Sequence, residues 1–148
     1  MSHDLLRILY VSRKTTHADP VEADREVADI LVSARRNNER LGVTGALLFS
    51  EGCFAQVLEG PTAAVEDIFE RIQCDPRHDE VTVLEVRSVP ERAFANWSMA
   101  YAGGAQDSWA PIASLPGLVA DRAEAAGDVL RLLGGVVRRH DHRLVATA

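Results

Sequence analysis

The chain has 148 residues, 47% hydrophobic and 26% charged, the profile of one globular domain able to bury roughly two thirds of its surface. Lys and Arg number 16 against 22 Asp and Glu, a net charge of −6, so no nucleic-acid partner is expected to dock on a basic face. No apolar run approaches the roughly 18 residues of a membrane span, and the first residues carry Asp4 and no long apolar core. The sequence therefore predicts no membrane association, no signal peptide and a cytoplasmic location.

Aromatic residues make up only 5% of the chain, so aliphatic packing must supply the core. The two cysteines, Cys53 and Cys74, have no metal-like spacing and are expected to be buried, reduced thiols, with no metal site. Residues 5–11 predict a first strand, with Tyr10 sharing a face with Leu6 and Ile8, before a polar turn over residues 12–16. Residues 21–41 predict a helix whose buried stripe holds Val27, Ile30, Leu31, Ala34 and Leu41, with Gly42 as its C-terminal cap. Residues 45–50 and 53–59 predict a hairpin turning at Glu51-Gly52, and residues 62–73 a second helix striped by Val65, Ile68, Phe69 and Ile72. The β-branched run over residues 81–89 and the segment 97–102 predict two more strands.

The order β-α-β-β-α-β-β implies an α+β, ferredoxin-like fold: a five-stranded mixed sheet with two helices on one face. Beyond Gly104 the composition turns to Ala, Gly, Leu and Arg. It predicts one or two C-terminal helices, interrupted or weakened at Gly127 and at Gly134-Gly135. The expected division is a domain over residues 1–104 and a helical extension over residues 105–148. The run Arg138-Arg139-His140-Asp141-His142-Arg143 reads either as an interaction patch or as a solvated, frayed tail.

Polar residues stand where apolar ones belong. Asn38 falls on the buried stripe of the first helix between Ala34 and Leu41, and Gln56 shares a strand face with Phe54 and Leu58. An unpaired buried amide costs roughly 1–3 kcal/mol, so each needs a partner. With the Tyr10 phenol they converge beneath the first helix if all face the helix-covered side of the sheet. Two readings remain open: the three groups satisfy one another, or they line a pocket for a planar ligand with a polar edge, because an amide offers both a donor and an acceptor. Adjacent Arg77 and His78 after the second helix suit hydroxyls or a phosphate, or are a solvated turn. An acylphosphatase-like enzyme would need a glycine-lined cradle where Ser12-Arg13-Lys14 stands, and an RNA-recognition sheet would need aromatic platforms.

Several spaced motifs resemble the BLUF family of blue-light sensors that use flavin. They are Leu9-Tyr10-Val11-Ser12, Asn38 ahead of Thr44-Gly45-Ala46-Leu47-Leu48-Phe49, Gly52-Cys53-Phe54-Ala55-Gln56-Val57-Leu58-Glu59-Gly60, Arg71-Ile72, Asp75-Pro76-Arg77-His78 and Arg92-Ala93-Phe94-Ala95-Asn96-Trp97-Ser98-Met99. The resemblance runs from about Leu5 to Ala102. It implies a non-enzymatic photoreceptor that binds FAD, FMN or riboflavin without a covalent bond. Tyr10 would be the electron and proton donor, and Gln56 the amide between phenol and flavin. Asn38 would hold the ring's polar edge with Asn37 beside it, while Asp75, Arg77 and His78 would meet the ribityl and phosphate end. Trp97 and Met99 resemble the last-strand pair that competes for the place next to the glutamine. Ala34 departs from a serine common in the family, and Ala100 is smaller than its pattern. The resemblance further implies output through the C-terminal region to a protein partner, with homo-oligomerisation expected. The alternative is a ferredoxin-like ligand- or protein-binding module without flavin.

Overall fold

The computed structural model describes residues 5–14, 20–50, 52–95, 100–103 and 122–147. Strand β1 covers Leu5–Lys14, helix α1 Pro20–Leu41, β2 Thr44–Ser50, β3 Cys53–Gly60, α2 Thr62–Gln73, β4 His78–Val89, β5 Ala100–Gly103 and α3 Arg122–Thr147. The sheet runs β4-β1-β3-β2-β5. Its body is four antiparallel strands, and the four-residue β5 joins in parallel at the β2 edge. The α+β class holds, and the fifth member of the expected mixed sheet is this short strand, described over Ala100–Gly103. Trp97 and Met99 lie outside the described residues.

Strand alternation divides the core in two. Leu6, Ile8, Tyr10, Leu47, Phe54 and Leu58 pack under α1 and α2, against Val27, Leu31, Val65 and Ile68. Burying an aliphatic side chain such as Val65 contributes roughly 1.5–3 kcal/mol, which is how these two amphipathic helices are held to the sheet. Leu9, Val11, Ala46, Leu48, Ala55 and Val57 point the other way and are covered by Ala125, Ala126, Val129 and Leu133 of α3. The C-terminal region therefore seals the second face.

Three local expectations change. Residues 12–14 continue β1 instead of turning, because Arg13 pairs with Cys53 on one side and Lys14 with His78 on the other. Helix α3 passes unbroken through Gly127, Gly134 and Gly135. A helical glycine costs only about 1 kcal/mol, less than the packing of Val129 and Leu133 returns. Its helical backbone also continues through residues 138–143. Cys53 is buried as expected, but Cys74 is exposed, because it caps the C-terminus of α2.

Candidate functional site

Tyr10 of β1 and Gln56 of β3 are cross-strand partners, and the Tyr10 hydroxyl donates a hydrogen bond to Gln56 Oε1. Both side chains are buried. On the other side of β1 the register with β4 slips between Leu9 and Tyr10 and again between Val11 and Arg13, so irregular pairing brackets the tyrosine. Phe69 of α2 meets the Tyr10 ring at 5.4 Å between centroids. Burial, and then the Asp75 carboxylate, push the phenol well above its ordinary range. Tyr10 is therefore a protonated donor throughout the physiological pH range.

The capping of α1 sets the height of its amides. Val43 N–H donates to Asn38 O at 2.8 Å and Gly42 N–H to Glu39 O at 3.4 Å, with Gly42 at φ 73°. This paired bonding is a Schellman cap, and it needs a left-handed residue at Gly42. Within that last turn the Asn38 side chain points inward and is 1% exposed, while Asn37 is half-buried.

The end of α2 supplies the remaining polar groups. The Asp75 carboxylate accepts from Arg77 N–H at 2.9 Å and from Arg77 Nε and Nη2 at 2.9 and 2.6 Å. Hydrogen bonding from the Arg77 side chain is the largest cause holding the Asp75 carboxyl below the usual carboxylate range. His78 Nε2 lies 2.6 Å from Ile72 O and its Nδ1 2.8 Å from Ser12 Oγ. A carbonyl only accepts, so Nε2 carries a proton and donates. In the neutral ring, Nδ1 then accepts from the buried Ser12 hydroxyl.

These groups meet around two adjoining cavities of about 400 and 510 Å³, including space open to solvent. Tyr10, Gln56, Asp75 and His78 line the first; Asn37, Asn38, Gln56, Asp75 and Arg77 line the second. All seven residues expected at a ligand site thus border one or both of these two cavities, which share Ile30, Ala34, Gln56, Ile72 and Asp75 as lining. Of the two readings of the amides, mutual satisfaction holds for the phenol and Gln56. Tyr10 and Gln56 line the first cavity, and Asn38 and Gln56 the second.

A family model described as "Sensors of blue-light using FAD" matches residues 5–100, which include every residue of this cavity. The chain belongs to the BLUF family. It is 33% identical over 96 residues, 64% of its length, to the photoactivated adenylate cyclase subunit beta of Euglena longa, of which it spans 11%. It is 34% identical over 84 residues, 57% of its length, to the blue light- and temperature-regulated antirepressor BluF of Escherichia coli (strain K12), of which it spans 21%. Among solved structures, the dark state of the BLUF protein BlrB superposes with a TM-score of 0.62 at 36% identity, over 68% of this chain and 73% of that one.

BLUF domains bind flavin, and the cavity suits one. An isoalloxazine is a flat tricycle with carbonyls and N–H groups along one edge, which calls for apolar faces and amide edges. Ile30 and Ile72 border both cavities and supply apolar wall, Asn37, Asn38 and Gln56 supply amides, and Asp75 with Arg77 supply charged groups. Several lining residues carry no site expectation from sequence. Leu47, Phe54, Ile68 and Ile72 read as ordinary core, and Arg71 as one motif position among many. The signal that could have found Arg71 is its place one turn ahead of Asp75. Ala34, the departure from the family's serine, borders both cavities, so wall replaces a hydroxyl there. Among the described residues there is no cluster able to hold a metal ion and no helix long and apolar enough to cross a membrane.

Proposed function

We propose that this BLUF domain is a cytoplasmic blue-light photoreceptor that holds FAD, with FMN or riboflavin as substitutes sharing the same ring, and is not itself an enzyme. The observation that carries this reading is the Tyr10 hydroxyl bonded to Gln56 Oε1 at the wall of the cavity. The flavin supplies absorption of blue light and, once excited, a strong oxidant beside the phenol. Because the phenol is far above its ordinary pKa, Tyr10 does not ionise first. Oxidation must precede or accompany loss of the proton, since an oxidised phenol is a strong acid. The electron would pass to the excited flavin from the ring of Tyr10, whose Oη proton faces Gln56 Oε1 as its acceptor.

On return of both, Gln56 settles with its amide donor and acceptor exchanged. The exchanged amide would then present a changed hydrogen bond to the flavin edge, a difference worth roughly 0.5–1.5 kcal/mol net. That is enough to shift a nearby two-state equilibrium several-fold. Asn38 and Asn37 hold the polar edge of the ring, and Asp75, Arg77 and His78 hold the ribityl end. Trp97 and Met99 lead the change out of a ferredoxin-like sensor domain over residues 1–104 into the extension over residues 105–148, and from there to a protein partner or to a second copy of the chain. The cyclase subunit and the antirepressor, both relatives at about one third identity, support an output of this kind.

The absorption spectrum of the purified protein tests the reading. A flavin spectrum that moves to the red under blue light and relaxes in darkness is expected. A colourless protein that does not take up added flavin would instead support a flavin-free binding module.

A further inference from the structure

A buried carboxylate stands on the face of the sheet opposite the cavity. Glu59 of β3 is 0% exposed, and its two oxygens are held by different parts of the chain. Arg7 Nε of β1 donates to Oε2 at 2.8 Å, and the backbone N–H of Phe94 donates to Oε1 at 2.9 Å. Phe94 lies in the connection between β4 and β5, where no ladder partner exists for that N–H, and its ring is buried in the core under α3. Two residues earlier Arg92 reaches across the same edge, with Nη2 donating to Gly42 O at 2.7 Å and Nη1 to Thr44 Oγ1 at 3.1 Å.

Stability alone does not explain a charge at this position. Desolvating a carboxylate and a guanidinium costs several kcal/mol per ion, and well-packed apolar residues of like size often serve as well or better. What the charge supplies is a strong, oriented acceptor for one backbone N–H of the described part of that connection. Its place in the ladder matters. Arg7 and Glu59 are Cα partners, as Tyr10 and Gln56 are, and the two pairs stand three residues apart on the same two strands, about 10 Å. The odd spacing puts them on opposite faces. A single strand pair thus carries the phenol and amide on one side and the anchor of the β4–β5 connection on the other.

We propose that Glu59 is a positioning residue that latches the β4–β5 connection to the Tyr10–Gln56 strand pair, so that light-driven change at Gln56 reaches β5 and the adjacent α3 through a docked rather than a loose connection. This rests on the photoreceptor reading above. The two arrangements of the latch are Phe94 N–H bonded to Glu59 and Phe94 N–H released to solvent.

The test uses the full flavin-loaded chain with the double variant Arg7→Met and Glu59→Leu, which removes both members of the buried pair and leaves Glu85, the other carboxylate near Arg7, with Arg87. Absorption spectroscopy and amide hydrogen exchange are read in darkness and under blue light. The variant is expected to keep its flavin and a red shift of wild-type size, because the cavity lies on the other face. Exchange at the Phe94 amide should rise at least tenfold in darkness, and the light-minus-dark difference over residues 90–103 should shrink by half or more. Glu59→Gln, which keeps an oxygen for the Phe94 N–H but removes the charge, should give a smaller change in the same direction and covers the case in which the double variant does not fold. Wild-type exchange at Phe94 in whichever variant folds, or an undiminished light response over residues 90–103, would overturn the latch. Failure of the photoreceptor reading is seen separately, as a wild-type protein with no red shift.

Discussion

Tyr10 and Gln56 face each other across neighbouring antiparallel strands, and the phenol donates to the amide oxygen beneath two helices. Because strand side chains alternate, a slip of one residue would send Gln56 to the α3 face and leave the phenol without its acceptor. The pairing is therefore only as secure as the register. The register is held by the short β2–β3 turn, with Gly52 at φ 78°, and by the close approach of Gly45 to β3.

Removing either member of the pair should separate binding from response. Tyr10→Phe and Gln56→Leu are expected to retain flavin and lose the light-induced red shift. Tyr10→Phe should cost about 1 kcal/mol in stability for the missing hydrogen bond. Light-minus-dark difference spectra check this, and a normal photocycle in either variant would refute the mechanism.

Asn38→Ala should weaken flavin binding at least about tenfold, equivalent to roughly 1.4 kcal/mol, while leaving the cap of α1 intact because the cap uses the Asn38 carbonyl and not its side chain. Titration with flavin, followed by quenching of flavin fluorescence, gives the affinity. Far-UV circular dichroism should not change.

Glycines should divide by what a methyl group would meet. At Gly45 a Cβ would lie 2.0 Å from Val57 O, so Gly45→Ala is expected to cost about 3 kcal/mol or more and to disturb the neighbouring Gln56. At Gly42 the space is open but φ is positive, and Gly42→Ala should cost about 1–2 kcal/mol. At Gly127, inside a helix with open space around it, alanine should stabilise by about 0.5–1 kcal/mol. Denaturant unfolding of the three variants checks the order.

Acid should act through Asp75. Its folded-state pKa lies below the ordinary value, so its pairing with Arg77 stabilises the fold at pH above the unfolded carboxyl pKa, near 4. That contribution disappears as pH falls through the lower folded-state value. Asp75→Asn lacks it at every pH. The melting temperatures of wild type and variant should thus differ most above the unfolded carboxyl pKa, near 4, and converge as pH falls below the lower folded-state value. A gap that stays constant with pH would contradict this.

The sequence by itself determined the elements and the residue types at the site. Amphipathic stripes located α1 and α2, alternation located β1 to β3, and amides on apolar faces singled out Asn38 and Gln56, because hydrophobic period and polar misfits are local properties of the chain. Contacts between distant segments were decided only by the tertiary structure. Nothing local distinguishes Ser12 as the partner of His78, or foretells that Arg13 and Lys14 continue a strand, since those follow from which neighbour the sheet places beside them. The glycines of the last helix read as breaks, yet packing on the sheet carries the helix through them. Glu59 reads as one acid in a strand, and only the fold brings Arg7 and Phe94 to its two oxygens, because a buried charge is satisfied by whichever donors the closed core delivers to it.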